Sequence, residues 1–185
     1  MGEQHKKHNR REHLNDFHLN VAGEYVYDGA LYACQNDDAK QRRSKRAVWG
    51  MAAILTVAVA AGGCIPAPGM QNCFYVLLPY LGEFLGAASV IWALAKLGTD
   101  WSTVREYNYK KSVAVLPVRT AVTAVFSLLG IVCELIFFFV NDHAGQTFFA
   151  LLYVLLKLTA LLSLLVLRAE IMQAEWDKLP KKDNF

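Results

Sequence analysis

Four apolar stretches, Ala47–Cys64, Cys73–Leu97, Pro117–Val140 and Thr147–Leu167, dominate this chain. Each is close to the roughly 20 helical residues that a bilayer's hydrocarbon core demands. A soluble helical domain spreads Lys and Glu along every helix to keep one face wet. Here 55% of residues are hydrophobic and 19% charged, and most of the charge falls before Ala47, between Asp100 and Lys111, or after Leu167. Such segregation predicts an all-α membrane protein, a bundle of four transmembrane helices. The first stretch is the shortest, and it completes its span by borrowing Arg46 and Ile65 at its ends. A polar, basic tail of more than forty residues precedes it, the wrong arrangement for a cleaved signal peptide, so the N-terminus is expected to be retained.

Positive charge near a helix end resists translocation, so Lys and Arg orient the bundle. Arg42, Arg43, Lys45 and Arg46 precede the first stretch, Arg105, Lys110 and Lys111 lie in the middle loop, and Lys178, Lys181 and Lys182 lie in the tail. The loops Ile65–Asn72 and Asn141–Gln146 contain neither residue type. Four spans put all three basic segments on one side, whereas three or five would strand one outside. Both termini are therefore expected in the cytoplasm, with the plasma membrane as the location. The net charge of +3 is small and gives no reason to expect a nucleic-acid partner.

The chain divides accordingly. Residues 1–16 read as a disordered basic tail, with His5, His8 and His13 too loosely arranged for a metal site. Residues 17–46 form a cytoplasmic segment, 47–168 the transmembrane domain, and 169–185 a cytoplasmic continuation of the last helix and a tail. In the second segment two β-prone runs, Glu24–Tyr27 and Ala30–Cys34, flank Asp28-Gly29, a dipeptide suited to a tight turn, which predicts a short β-hairpin before the first span. Two strands alone are marginal in water. Tyr25, Tyr27 and Tyr32 are thus expected to lie against the membrane, the middle loop or a partner, making this hairpin a candidate recognition element. The middle loop itself predicts a short interfacial helix capped by Thr99, with Trp101, Tyr107 and Tyr109 at headgroup depth.

Three ionisable residues fall inside the spans: Glu83, Glu134 and Lys157. Each costs at least about 2.5 kcal/mol at the bilayer centre, so each must face the interior and find a partner. Glu83 and Lys157 both lie ten residues from their span's outer end, about 15 Å down. At equal depth they are expected to pair. Glu134 lies shallower, where a hydroxyl of Tyr80 or Tyr153 could bond it, or where it could be buried as the neutral acid.

Around Glu83, Pro79 removes a backbone hydrogen bond, and Gly82 and Gly86 form a small-xxx-small face. The expectation is a bent second helix packed tightly on the first, whose Ala52, Thr56 and Ala60 offer a matching smooth face. Cys64 and Cys73 flank the first outer loop, close enough in sequence for a disulfide.

The sequence contains no phosphate-binding loop, dinucleotide fingerprint or nucleophile elbow, and it offers no paired intramembrane histidines. No catalytic residue, metal or cofactor is therefore expected. Two readings stand. The first is an accessory, scaffold or interaction subunit, partnered by the bilayer and by a membrane protein or a second copy, with the buried charges as register locks. The second is an oligomeric transporter or channel-like unit for protons or a small polar solute, using Glu83, Glu134 and Lys157.

Overall fold

The computed structural model describes residues 17–19, 23, 25–27, 29–141 and 147–179. The tail over residues 1–16, Asp28 of the expected turn and the last six residues lie outside the described residues. Among the described residues six helices follow in chain order: α1 (Asp38–Cys64), α2 (Pro68–Asn72), α3 (Phe74–Leu97), α4 (Glu106–Lys111), α5 (Leu116–Val140) and α6 (Thr147–Met172). Five short strands accompany them: β1 (Phe17–Leu19), β2 (Tyr25–Tyr27), β3 (Leu31–Cys34), β4 (Val104–Arg105) and β5 (Trp176–Lys178). The four expected spans correspond to α1, α3, α5 and α6, each within a helix long and apolar enough to cross a membrane.

Each long helix buries one stripe at helical spacing. On α1 it runs through Val48, Ala52, Leu55, Val59 and Gly62, and on α3 through Val76, Pro79, Glu83, Ala87, Val90 and Leu94. On α5 it is Leu116, Thr120, Thr123, Ser127, Ile131 and Glu134, and on α6 Ala150, Tyr153, Lys157, Ala160, Leu164 and Leu167. Outward faces carry Val57, Leu78, Leu85, Trp92, Phe139, Leu151 and Leu155, all exposed. Polar side chains turned inward and a fully apolar outer face are the arrangement lipid selects, since lipid rewards no further apolar burial between helices. The hydroxyls of Thr120 and Thr123 donate to the carbonyls of Leu116 and Arg119 at 2.9 and 2.7 Å, so they need no lipid-inaccessible partner elsewhere.

The packing order around the bundle is α1, α6, α5, α3. This corrects the expected α1–α3 hairpin. Gly82 and Gly86 do form a close-approach face, but it meets α5, where added Cβ atoms would run into Phe126 and Thr123. The α1 residues Thr56 and Ala60 face outward instead. Tyr80 provides a polar link between α1 and α3, its hydroxyl donating to the Val59 carbonyl at 3.3 Å. The loop between them folds into α2, which packs on α3, α5 and α6. Helix α3 runs through Pro79 without interruption.

At the opposite end the chain builds a small antiparallel sheet in the order β4-β3-β5. Tyr32 pairs with Val104 on one side and Lys178 on the other, while Cys34 pairs with Trp176. A strand hairpin does precede α1, but it is made by β1 and β2, with Phe17 opposite Tyr27. The expected pairing across Asp28-Gly29 is replaced because β3 finds partners on both edges. Positive φ among the described glycines occurs at Gly23 and Gly98, not at Gly29, whose added Cβ would meet the Tyr27 ring.

Two more expectations are corrected here. The continuation of α6 stops at Met172, and residues 176–178 become strand because β3 offers an open edge. Thr99 caps no helix: α3 ends against Gly98, with φ of 70°, and Trp101 beyond it is packed inside the protein, 1% exposed. Its ring lies 5.8 Å from that of Trp176, and Tyr109 stacks on Tyr32 at 4.2 Å. Together these rings seal the sheet end of the bundle.

Because Gly86 rather than Ala60 carries the close approach, Gly86→Leu should destabilise the protein by about 1–3 kcal/mol through forced separation of α3 from α5. Ala60→Leu, on an exposed face, should stay within about 0.5 kcal/mol. Thermal unfolding of both variants in detergent checks this.

Candidate functional site

The bundle's interior polar cluster begins with Glu83 and Lys157. These residues sit mid-stripe on α3 and α6, helices that face each other diagonally across the interior. The structure brings them together: Lys157 Nζ donates to Glu83 Oε2 in an ion pair, with Glu83 0% and Lys157 2% exposed. A diagonal contact asks for a long cationic side chain, and lysine supplies one. The ammonium also lies over the rings of Tyr80 and Tyr153, 4.6 and 5.1 Å from their centroids. Each ring face adds cation–π attraction, which strengthens once the cation is desolvated. Ser127 on α5 fixes the same level by donating to the Lys157 carbonyl at 3.1 Å.

Glu134 occupies the next level toward α2. Its expected tyrosine partner is replaced by backbone: the amide of Gly69 donates to Glu134 Oε1 at 3.4 Å. Helix α2 is tucked into the bundle mouth, with Ala67, Pro68 and Gly69 buried. A Cβ added at Gly69 would fall on the Glu134 carboxylate, so a larger residue there has to push that side chain aside. Tyr153 lies within electrostatic reach of both Glu83 and Glu134. Among the described residues, Glu83 Oε1, Glu134 Oε2 and the Tyr153 hydroxyl have no hydrogen-bond partner. Each such buried oxygen costs about 1–3 kcal/mol, and three in one interior make this the most polar and least satisfied region of the bundle.

The other candidate residues separate. Cys64 and Cys73 are free thiols at the ends of α1 and α3, with α2 between them, so the expected disulfide is not formed. The tyrosines of the recognition segment divide. Tyr27 donates to the Ala30 carbonyl at 3.4 Å with Arg105 over its ring, and Tyr32 stacks on Tyr109, whereas Tyr25 is 75% exposed. Groups that could hold a metal ion through three or more His, Cys, Asp or Glu side chains do not occur among the described residues.

Sequence reasoning missed two contributors. The stripe Thr120, Thr123, Ser127, Glu134 repeats at intervals of three, four and seven and was legible as one polar helix face. Gly69 carried no comparable signal, since its role depends on where α2 folds.

Gly69→Ala should destabilise the protein by roughly 1–3 kcal/mol, and adding Glu134→Ala should restore most of it, because the clash partner is then gone. Thermal unfolding of the three variants is the check, and a neutral single variant would mean α2 does not rest on Glu134. Compared with known proteins, the chain has no match among family models, curated proteins or solved structures.

Proposed function

We propose that this chain is a non-enzymatic accessory or scaffold subunit of the plasma membrane, and that its buried ion pair is a register lock. The reading rests on one observation: Glu83 and Lys157 are paired and closed off from solvent, with the Lys157 ammonium over two tyrosine rings. A residue that handles cargo has to meet it, whereas a lock works best sealed, where removing either partner leaves an uncompensated charge.

In this reading the sheet end faces the cytoplasm. It gathers Arg42, Arg43, Lys45 and Arg46 with Arg105, Lys110, Lys111 and Lys178, while the described loop at the other end, residues 65–72, carries no Lys or Arg. Tyr25, exposed on the β1–β2 hairpin, is the candidate contact for a membrane-protein partner or second copy. The transport alternative draws on the unpartnered oxygens of Glu83, Glu134 and Tyr153, which are suited to a proton or small polar solute.

Glu83→Gln or Lys157→Met alone should cost about 3–5 kcal/mol, and the two together should recover most of that. The folded double variant then separates the readings. As a lock, it should retain a photo-crosslinked adduct formed from position 25 in native membranes and leave proton permeability of reconstituted vesicles unchanged. Loss of a wild-type proton flux in that variant would establish transport instead.

A further inference from the structure

Where α1 and α6 leave the apolar zone, they frame a cavity of about 250 Å³, lined by Asn36, Lys40, Arg43, Ser44, Glu170 and Gln173. Its floor is a hydrogen bond from Ser44 Oγ to Glu170 Oε2, 2.8 Å long, with Ser44 buried. Ser44 lies three residues before Ala47 and Glu170 three residues after Leu167, the two apolar boundaries. Both therefore stand about 4.5 Å beyond the hydrocarbon at the helical rise. That is the depth of lipid headgroups, which occupy roughly 5–7 Å on each side of the core.

Helix α1 continues to Asp38 through this layer, carrying Lys40, Arg42, Arg43, Lys45 and Arg46 on its polar extension. Clusters of this size beside a span attract anionic lipid. The five are not equivalent. Lys45 turns to the Trp101 ring, 5.8 Å away, while Lys40 and Arg43 line the cavity and form no ion pair among the described residues. Two cations and one carboxylate thus share a small cleft whose carboxylate is held in place by Ser44. A headgroup with two anionic groups and one ammonium has the complementary charge pattern.

We propose that this cavity binds the headgroup of an anionic amino-phospholipid of the phosphoserine type, with Lys40 and Arg43 taking its phosphate and carboxylate and Glu170 its ammonium. Arg43 offers the planar fork that suits a phosphate or carboxylate, and Lys40 a compact second charge. The acyl chains of such a lipid would run along the apolar outer faces of the helices directly above.

The test is binding to the full chain in detergent, titrated with short-chain phosphatidylserine, phosphatidylglycerol, O-phosphoserine and inorganic phosphate. Phosphatidylserine should bind most tightly, and the Lys40→Ala/Arg43→Ala variant should weaken it by roughly 30-fold. Glu170→Gln, which keeps an oxygen for Ser44, should bring phosphatidylserine down to the affinity of phosphatidylglycerol and leave the latter unchanged. Unaltered unfolding temperatures without lipid show that these changes leave the fold intact. Equal binding of both lipids to the wild-type chain overturns the headgroup assignment, and indifference to Lys40→Ala/Arg43→Ala overturns the site. O-phosphoserine or phosphate binding as tightly as the lipid would mean that the cleft takes a soluble anion, and the lipid proposal fails.

Discussion

A lysine ammonium placed in the middle of a bilayer has to be neutralised by something equally buried, and in this bundle that requirement joins helices that are not lateral neighbours. Glu83 on α3 and Lys157 on α6 meet across the interior. Lipid gives little help in choosing between alternative rotations of an apolar helix, because one greasy face is as good as another. A charge pair does choose. Rotating α3 or α6 by one residue would swing a charge toward hydrocarbon, so the pair sets the rotation of both helices. Their other buried residues, from Val76 to Leu94 and from Ala150 to Leu167, follow on the same stripes.

Once those rotations are set, α5 has little freedom left. It contacts both helices, receiving the glycine face of α3 against Phe126 and Thr123 and binding the Lys157 carbonyl through Ser127. Its Glu134 then faces the mouth of the bundle, where the amide of Gly69 meets it. Helix α2 is therefore positioned by a carboxylate that the deeper ion pair has indirectly aimed. The same logic explains the tolerance for unsatisfied oxygens in this region: each polar side chain is placed by rotations selected elsewhere, and not every lone pair finds a donor.

The spans and the ion pair were legible because they depend on properties that survive without a partner: run length, charge segregation and depth along a helix. Counting ten residues from each outer boundary needed no knowledge of which helices touch. Packing order was not legible. Gly82 and Gly86 announce that some helix comes close, but not which, and sequence adjacency pointed to α1 when the true neighbour was α5. Strand pairing failed for a related reason. Leu31–Cys34 reads as a strand in any context, yet its partners, Val104–Arg105 and Trp176–Lys178, lie more than 70 residues away in sequence, beyond the reach of a turn motif such as Asp28-Gly29. Trp101 looked like an interfacial anchor because Trp usually is one; only the turn at Gly98 sends it inward.

These contacts divide the bundle unequally. Helices α3, α5 and α6 are cross-linked in their middles by the ion pair and by Ser127. Helix α1 meets them there through Val48, Ala52, Leu55 and Ala58, small or aliphatic side chains whose contacts lipid can partly replace. Its polar attachments among the described residues sit at its two ends: Ser44 to Glu170 at the sheet end and the Val59 carbonyl to Tyr80 toward the other. A helix tied at its ends and apolar in its middle takes its position from what happens at those ties. The Ser44 tie is also the floor of the Lys40–Arg43 cleft. Any ligand seated in the cleft therefore bears directly on how α1 is held against the other three helices.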